Sequence, residues 1–218
     1  MSAVRKTVAV ALVSLATLVG TQRTARAQTP GPSPAGSTAI ATFAGGCFWC
    51  MEPPFESLDG VLSTQVGYSG GHRKDPTYEE VSAGTTGHAE SVRIVYDPRK
   101  ITYAQLLDVF WRNIDPLTPN AQFCDHGDQY RTAIFYHDET QRQQAEASRR
   151  VLEQTKRFQQ PIVTEIVLAT QFYPAEEHHQ KYHQKNRTLY EYYRWRCGRD
   201  RRLAEVWGTA PSGREEQR

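Results

Sequence analysis

The chain is 218 residues long and nearly balanced in charge, with 26 Lys and Arg against 24 Asp and Glu. That balance, with no concentrated basic stripe in mid-chain, excludes an electrostatic nucleic-acid surface as the primary role. Apolar residues make up 39% of the sequence, enough for one domain with a real core.

The first residues read as a processing segment. Arg5 and Lys6 form a basic region, and Thr7 to Gly20 is an uncharged apolar and small-residue run too short to span a bilayer comfortably. Ala25-Arg26-Ala27 offers a cleavage site before Gln28. Residues 1–27 are therefore expected to be a secretory signal peptide rather than an uncleaved anchor, and 28–37 a Pro-containing linker. Residues 38–218 form a single domain with a C-terminal tail from about 188. Export implies a periplasmic or extracellular, oxidising setting and no membrane contact in the mature form. There the four cysteines allow two disulfides in any of three pairings.

Ala39 to Phe43 predicts a strand, and Gly45-Gly46 after it permits a tight turn into a helix with Phe55 and Leu58 on one face. Cys47 falls at or near the first turn of that helix, where unpaired N–H groups and the helix dipole favour a thiolate. Phe48 and Trp49 stand beside it. Val61 to Tyr68 predicts a strand ending at Ser69-Gly70-Gly71, and Thr77 to Val81 is a short segment of undecided type. His88 to Tyr96 is the clearest strand, with Val92, Ile94 and Tyr96 on one face.

Thr102 and Gln105 have capping-box form and open a helix whose stripe is Leu106, Leu107, Phe110, Trp111 and Ile114. Asp115 to Gly127 is a long polar loop, and Tyr130 to Tyr136 a strand. Asp138 and Gln141 cap a polar helix to about Phe158. Pro161 to Thr170 reads as a β-branched strand and Ala175 to Lys185 as helical. Tyr190 to Trp207 is aromatic and basic and compatible with a helix, and its charges around Arg194 and Arg199 to Arg202 read as a solvated end. Strands and helices mix without strict alternation. This predicts an α+β fold, a two-layer sandwich with a mixed or mostly antiparallel sheet, long loops and an irregular C-terminal tail.

Cys47 and Cys50 have the C-x-x-C spacing of redox motifs and of half a zinc site. Cys124 and Cys197 are single and far apart, so no second half-site exists and no metal is expected. His178, His179 and His183 likewise read as a solvated helix face rather than a metal site. Thiol–disulfide exchange and a disulfide-stapled, non-enzymatic binding module both remain open. Three polar clusters could meet Cys47: Pro76-Thr77-Tyr78, Gly87-His88-Ala89-Glu90, and Cys124-Asp125 through Tyr130-Arg131. Spacing alone does not join them.

These blocks, with Gly46-Cys47-Phe48-Trp49, Gly67-Tyr68-Ser69-Gly70-Gly71 and Tyr96-Asp97-Pro98, closely resemble the A-type peptide methionine sulfoxide reductases, in order from about Ala41 to about Trp207. The resemblance implies reduction of the S epimer of methionine sulfoxide, in oxidised proteins and as the free compound, without a cofactor. It makes Cys47 the nucleophile, with Glu90, Tyr78 and Tyr130 donating to the sulfoxide oxygen. Glu90 must then be neutral, which burial would achieve. Phe48 and Trp49 would cage the S-methyl group, and Asp125 would support the site by hydrogen bonding. A second cysteine would convert the Cys47 sulfenic acid to a disulfide that a thioredoxin-like reductant clears. That role falls to Cys197, with Cys50 and Cys124 as alternatives. A Cys47–Cys50 bridge within one helical turn is geometrically awkward.

Overall fold

Alternation of apolar and polar residues built the central sheet where it was expected. The computed structural model describes residues 38–208. The expected signal peptide (1–27) and linker (28–37) lie outside the described residues, as does the chain beyond 208. Eight strands occur in this range: β1 (Ala39–Gly45), β2 (Val61–Ser69), β3 (Ala89–Tyr96), β4 (Ala121–Gln122), β5 (Asp125–His126), β6 (Thr132–Tyr136), β7 (Glu165–Leu168) and β8 (Tyr173–Pro174). Six form one mixed sheet in the order β7-β6-β1-β3-β2-β8, antiparallel except for the β6–β7 pair.

Seven helices accompany the sheet: α1 (Phe48–Glu56), α2 (Tyr78–Ser82), α3 (Tyr103–Arg112), α4 (Glu139–Gln154), α5 (Tyr182–Lys185), α6 (Arg187–Arg196) and α7 (Arg199–Trp207). Both α2 and α3 open on a full capping box, from Thr77 with Glu80 and from Thr102 with Gln105. The undecided segment after Thr77 is thus a helix. The Leu106–Trp111 stripe is buried against Phe43, Val92 and Ile94 of the sheet, with Phe43 stacked on Phe55 and Phe110. Burying such side chains contributes roughly 1.5–3 kcal/mol each, which fixes β1, and the turn leaving it, firmly in place.

Four expectations need correction. The 115–127 loop contains the β4–β5 hairpin, and Gln122 fastens it by accepting from Asp115 N–H at 2.9 Å and donating to Asp115 C=O at 2.7 Å. Tyr130 lies in a 3₁₀ turn (Asp128–Tyr130), one residue outside β6 by way of Arg131. The Ala175–Lys185 helix is broken into a 3₁₀ turn (Glu177–His179) and α5, with Lys181 left-handed between them. Tertiary bonds override helix periodicity there: Lys181 N–H donates to the fully buried Glu52 at 3.0 Å, and its Nζ lies 2.8 Å from Glu56. Finally, the segment read as a solvated end is the helix pair α6–α7, whose Arg199, Leu203, Val206 and Trp207 are buried.

Candidate active site

The turn between β1 and α1 holds Cys47 by local necessity. Gly46 has φ of +80°, and a Cβ there would stand 2.5 Å from Gln122. A Cβ on Gly45 would stand 2.7 Å from Ile114 and Met51. Cys47 is the N-cap of α1, outside the helix itself, and its carbonyl accepts from Cys50 N–H at 3.0 Å. Its side chain is therefore free to turn back onto Cys50, and the two thiols hydrogen-bond. Cys47 and Cys50 pack together with Tyr190 in one buried cluster.

Antiparallel pairing brings the first acid to the sulfur. The end of β1 lies beside the start of β3, with Ala44 opposite Ser91, so Glu90 sits where the chain leaves for Cys47. Glu90 is 2% exposed, and its Oε2 accepts Phe48 N–H at 3.0 Å. Burial pushes its carboxyl up to about 8 against the pull of that one N–H. It is neutral at pH 7, as expected.

Tyr78 at the start of α2, Tyr130 and Asp125 complete the group. Burial raises both phenols above the ordinary tyrosine value, and the charge of Glu90 adds to this, so each remains a proton donor. Cys47 and Asp125 act on both phenols electrostatically. Burial raises Asp125 despite a hydrogen bond from Tyr193. The structure thus gathers Cys47, Glu90, Tyr78, Tyr130 and Asp125 from four separate stretches of chain.

Phe48 is buried against Tyr68 and His179. Trp49 is half-buried, stacked on Tyr182 at 3.8 Å and edge-on to Tyr193, with its Nε1–H donated to His179 Nδ1 at 3.2 Å. His179 is 3% exposed. This corrects the reading of the three histidines as one solvated face: His178 is exposed, while His183 meets Glu56 at 3.0 Å. His88 lies outside the acid group, bonded to Gly71 N–H and Arg73 C=O, and pins the loop after β2.

Burial and neighbouring charges work against the thiolate expected on Cys47. Burial, the hydrogen bond to Cys50 and the nearby Cys50, Glu90 and Asp125 charges push the Cys47 thiol well above the usual range. The hydrogen bond from Cys47 draws Cys50 down to about 7 against burial, helped by Arg199 and Arg194. Cys124 and Cys197 form a disulfide, leaving Cys47 and Cys50 free. The Cys124, Asp125 and Cys197 donor atoms lie within 4.8 Å of one another, but the bond between the two sulfurs leaves no thiolate there to ligate.

Sequence reasoning missed Tyr182, Tyr193, Glu176 and Arg199 as parts of the site. Glu176 accepts from Tyr68 O–H and Tyr78 N–H. Three-residue spacing of Tyr190 and Tyr193 was the available signal, since it puts both on one face of a helix.

Comparison with known proteins bears on this geometry. Residues 39–211 match the family model described as peptide methionine sulfoxide reductase. A peptide methionine sulfoxide reductase MsrA of Bacillus licheniformis is 50% identical over 169 residues, 78% of this chain and 93% of the relative. That of Bacillus subtilis is 48% identical over 170 residues, 78% and 96% respectively. Among solved structures, reduced Mxr1 of Saccharomyces cerevisiae superposes with a TM-score of 0.64 at 34% identity, covering 71% of this chain and 88% of Mxr1. Methionine sulfoxide reductase A of Corynebacterium diphtheriae gives 0.63 at 34% identity, covering 71% and 77%.

Proposed function

The chain belongs to the peptide methionine sulfoxide reductase family, and on that premise we propose that it reduces the S epimer of methionine sulfoxide, protein-bound and free, through Cys47. The observation that carries this reading is the buried, neutral Glu90 bonded to the turn that presents Cys47. A sulfoxide sulfur is electrophilic, but its oxygen leaves only when it receives protons. Glu90 supplies one, and Tyr78 and Tyr130 donate hydrogen bonds as charge develops on the oxygen. In sum, the sulfoxide becomes a sulfide and the Cys47 thiol a sulfenic acid. Phe48 and Trp49 wall the methyl group, and Tyr193 steadies Asp125 behind the oxygen.

Cys50 is the nearest thiol to that sulfenic acid, so it takes the first resolving step assigned earlier to Cys197. Its sulfur bonds to Cys47, the S–O bond breaks and water leaves. The product disulfide is buried, out of reach of a protein reductant. Cys124 is exposed and Cys197 half-buried, Asp125 adjoins Cys124, and Tyr193 bonds Asp125, accepts Cys197 N–H at its carbonyl at 2.9 Å and packs against Cys47 and Cys50. The reduced Cys124–Cys197 pair therefore clears Cys47–Cys50 by thiol–disulfide exchange, and a thioredoxin-like protein then reduces the exposed bond. A bonded Cys124–Cys197 beside two free thiols is the state this transfer leaves.

Export follows from the basic, apolar and Ala25-Arg26-Ala27 sequence of the first 27 residues. Mature protein beginning at Gln28 in the periplasm or medium would support it, and retention of Met1 in a cytoplasmic fraction would refute it. For the activity, Cys47→Ser is assayed against separated S and R epimers. Retained turnover of the S epimer by that variant would refute the assignment.

A further inference from the structure

Arg199, on α7 directly after Cys197-Gly198, is 1% exposed. A guanidinium keeps its proton in a folded protein, and burying that charge is costly unless an anion answers it. Its bonding partners are all neutral. Nη2 donates to Asn113 C=O at 2.6 Å and Gly45 C=O at 3.3 Å and lies 3.0 Å from Met51 Sδ. The guanidinium carbon stands 4.4 Å from the centre of the Phe123 ring, and Nε is buried with no acceptor. Among the described residues no carboxylate bonds to it, and Asp125 feels its charge from the hairpin without a bond. Arg194, by contrast, has Asp200.

The position of this cation is specific. Gly45 lies two residues before Cys47 and Met51 follows Cys50. A Cβ on Gly46 would stand 3.8 Å from Arg199 Nη1, so the guanidinium backs the whole C-x-x-C turn. We propose that Arg199 is a positioning residue for the sulfur chemistry, the buried counter-charge that keeps one negative charge on the Cys47–Cys50 pair, carried by Cys50. The inference rests on the reductase reading above.

The surroundings of Cys50 leave it few other sources of positive charge. Cys47 faces it from the start of α1, Tyr190, Tyr193 and Arg194 from α6, Asp125 from the hairpin, and Arg199 from α7. Glu90 feels its charge from β3. Asp125 opposes a thiolate, and Arg194 is already bonded to Asp200. The hydrogen bond from Cys47 and the two arginines together hold Cys50 near 7.

The consequence lies in resolution. The Cys50 thiolate attacks the Cys47 sulfenic sulfur, the S–S bond forms and the S–O bond breaks. Hydroxide leaves as water with a proton from neutral Glu90, which solvent replaces. Cys50 is oxidised and the Cys47 sulfur reduced, so no outside oxidant enters.

The test follows a single turnover of pre-reduced full-length protein with excess S-epimer sulfoxide, across the neutral and alkaline range. Methionine release reports the first step, and peptide mapping of the Cys47–Cys50 bond reports resolution. Alkylation of Cys50 in the reduced wild type should reach half its maximal rate near 7. Arg199→Met should move that midpoint up by part of the way toward the ordinary thiol value of ~8.5, because the Cys47 hydrogen bond and Arg194 remain, and should slow resolution at neutral pH. Arg199→Lys should restore the wild-type midpoint. An unmoved midpoint in Arg199→Met, whatever the change in rate, overturns the proposal. Should neither variant fold, a wild-type midpoint at or above the ordinary thiol value overturns it equally. If the wild type releases no methionine, the reductase reading fails instead. Cys50 alkylation profiles in the same proteins then still decide the role of Arg199.

Discussion

The molecule holds two cysteine pairs that contrast in almost every physical respect. Cys47 and Cys50 are close in sequence, buried, unbonded and backed by a cation. Cys124 and Cys197 are 73 residues apart, joined, and open to solvent at Cys124. Neighbouring Asp125 and Tyr193 tie the two together. The contrast teaches that the surroundings of a sulfur set its task. A dry pair beside a neutral acid suits oxygen transfer, which water would disturb, and a wet pair suits exchange with another protein.

The most severe way to probe that contrast is Cys47→Ser, which should abolish methionine formation altogether, as measured by chromatography of the product. Cys50→Ser should still release one equivalent of methionine per enzyme but lose steady-state turnover. Full steady-state turnover in that variant would return the resolving step to Cys197 or Cys124.

Glu90→Gln keeps a donor and loses the transferable proton, so it should slow reduction by ~10²-fold, the lower end for a general acid. In the wild type, activity should fall as pH rises through about 8, when Glu90 ionises. The variant should lack that fall. Stability follows the same sign. The folded carboxyl is raised above its unfolded value of ~4.3, so the native state holds the extra proton between the two values. Wild-type stability then declines with rising pH across that window, by up to ~1.4 kcal/mol per unit. Urea unfolding at the two ends of the window should show this slope in the wild type and not in Glu90→Gln.

The smallest effect on chemistry belongs to the exposed pair. Cys124→Ser should leave single turnover and dithiothreitol-driven turnover within a few-fold of wild type while slowing turnover driven by a thioredoxin-like protein. It should also cost ~2–4 kcal/mol of stability in denaturant titrations, because the bond closes a long loop. Equal loss with both reductants would make the two pairs one functional unit.

Much of the fold was readable from local pattern. Val92, Ile94 and Tyr96 alternate on β3 and are all buried, and Thr102 and Thr77 cap the helices they open. Where the reading failed, long-range bonds outweighed local preference. Lys181 breaks the expected helix to meet Glu52 and Glu56. The tail helices look polar in sequence because their charged residues have partners that only the fold supplies, as Arg202 has in Asp115 and Arg194 in Asp200.

By itself the sequence determined the strand-turn-helix that carries Cys47, the rings beside it, and the ordered blocks that mark the family, because each depends on neighbours within a few residues. Only tertiary structure decided which acid meets the sulfur, which cysteines bond, and which way burial shifts each free thiol. Those outcomes depend on burial and on charges from strands and helices far apart in the chain. Antiparallel pairing of β1 with β3 brings Glu90 to Cys47, and the docking of α7 carries Arg199 behind both thiols.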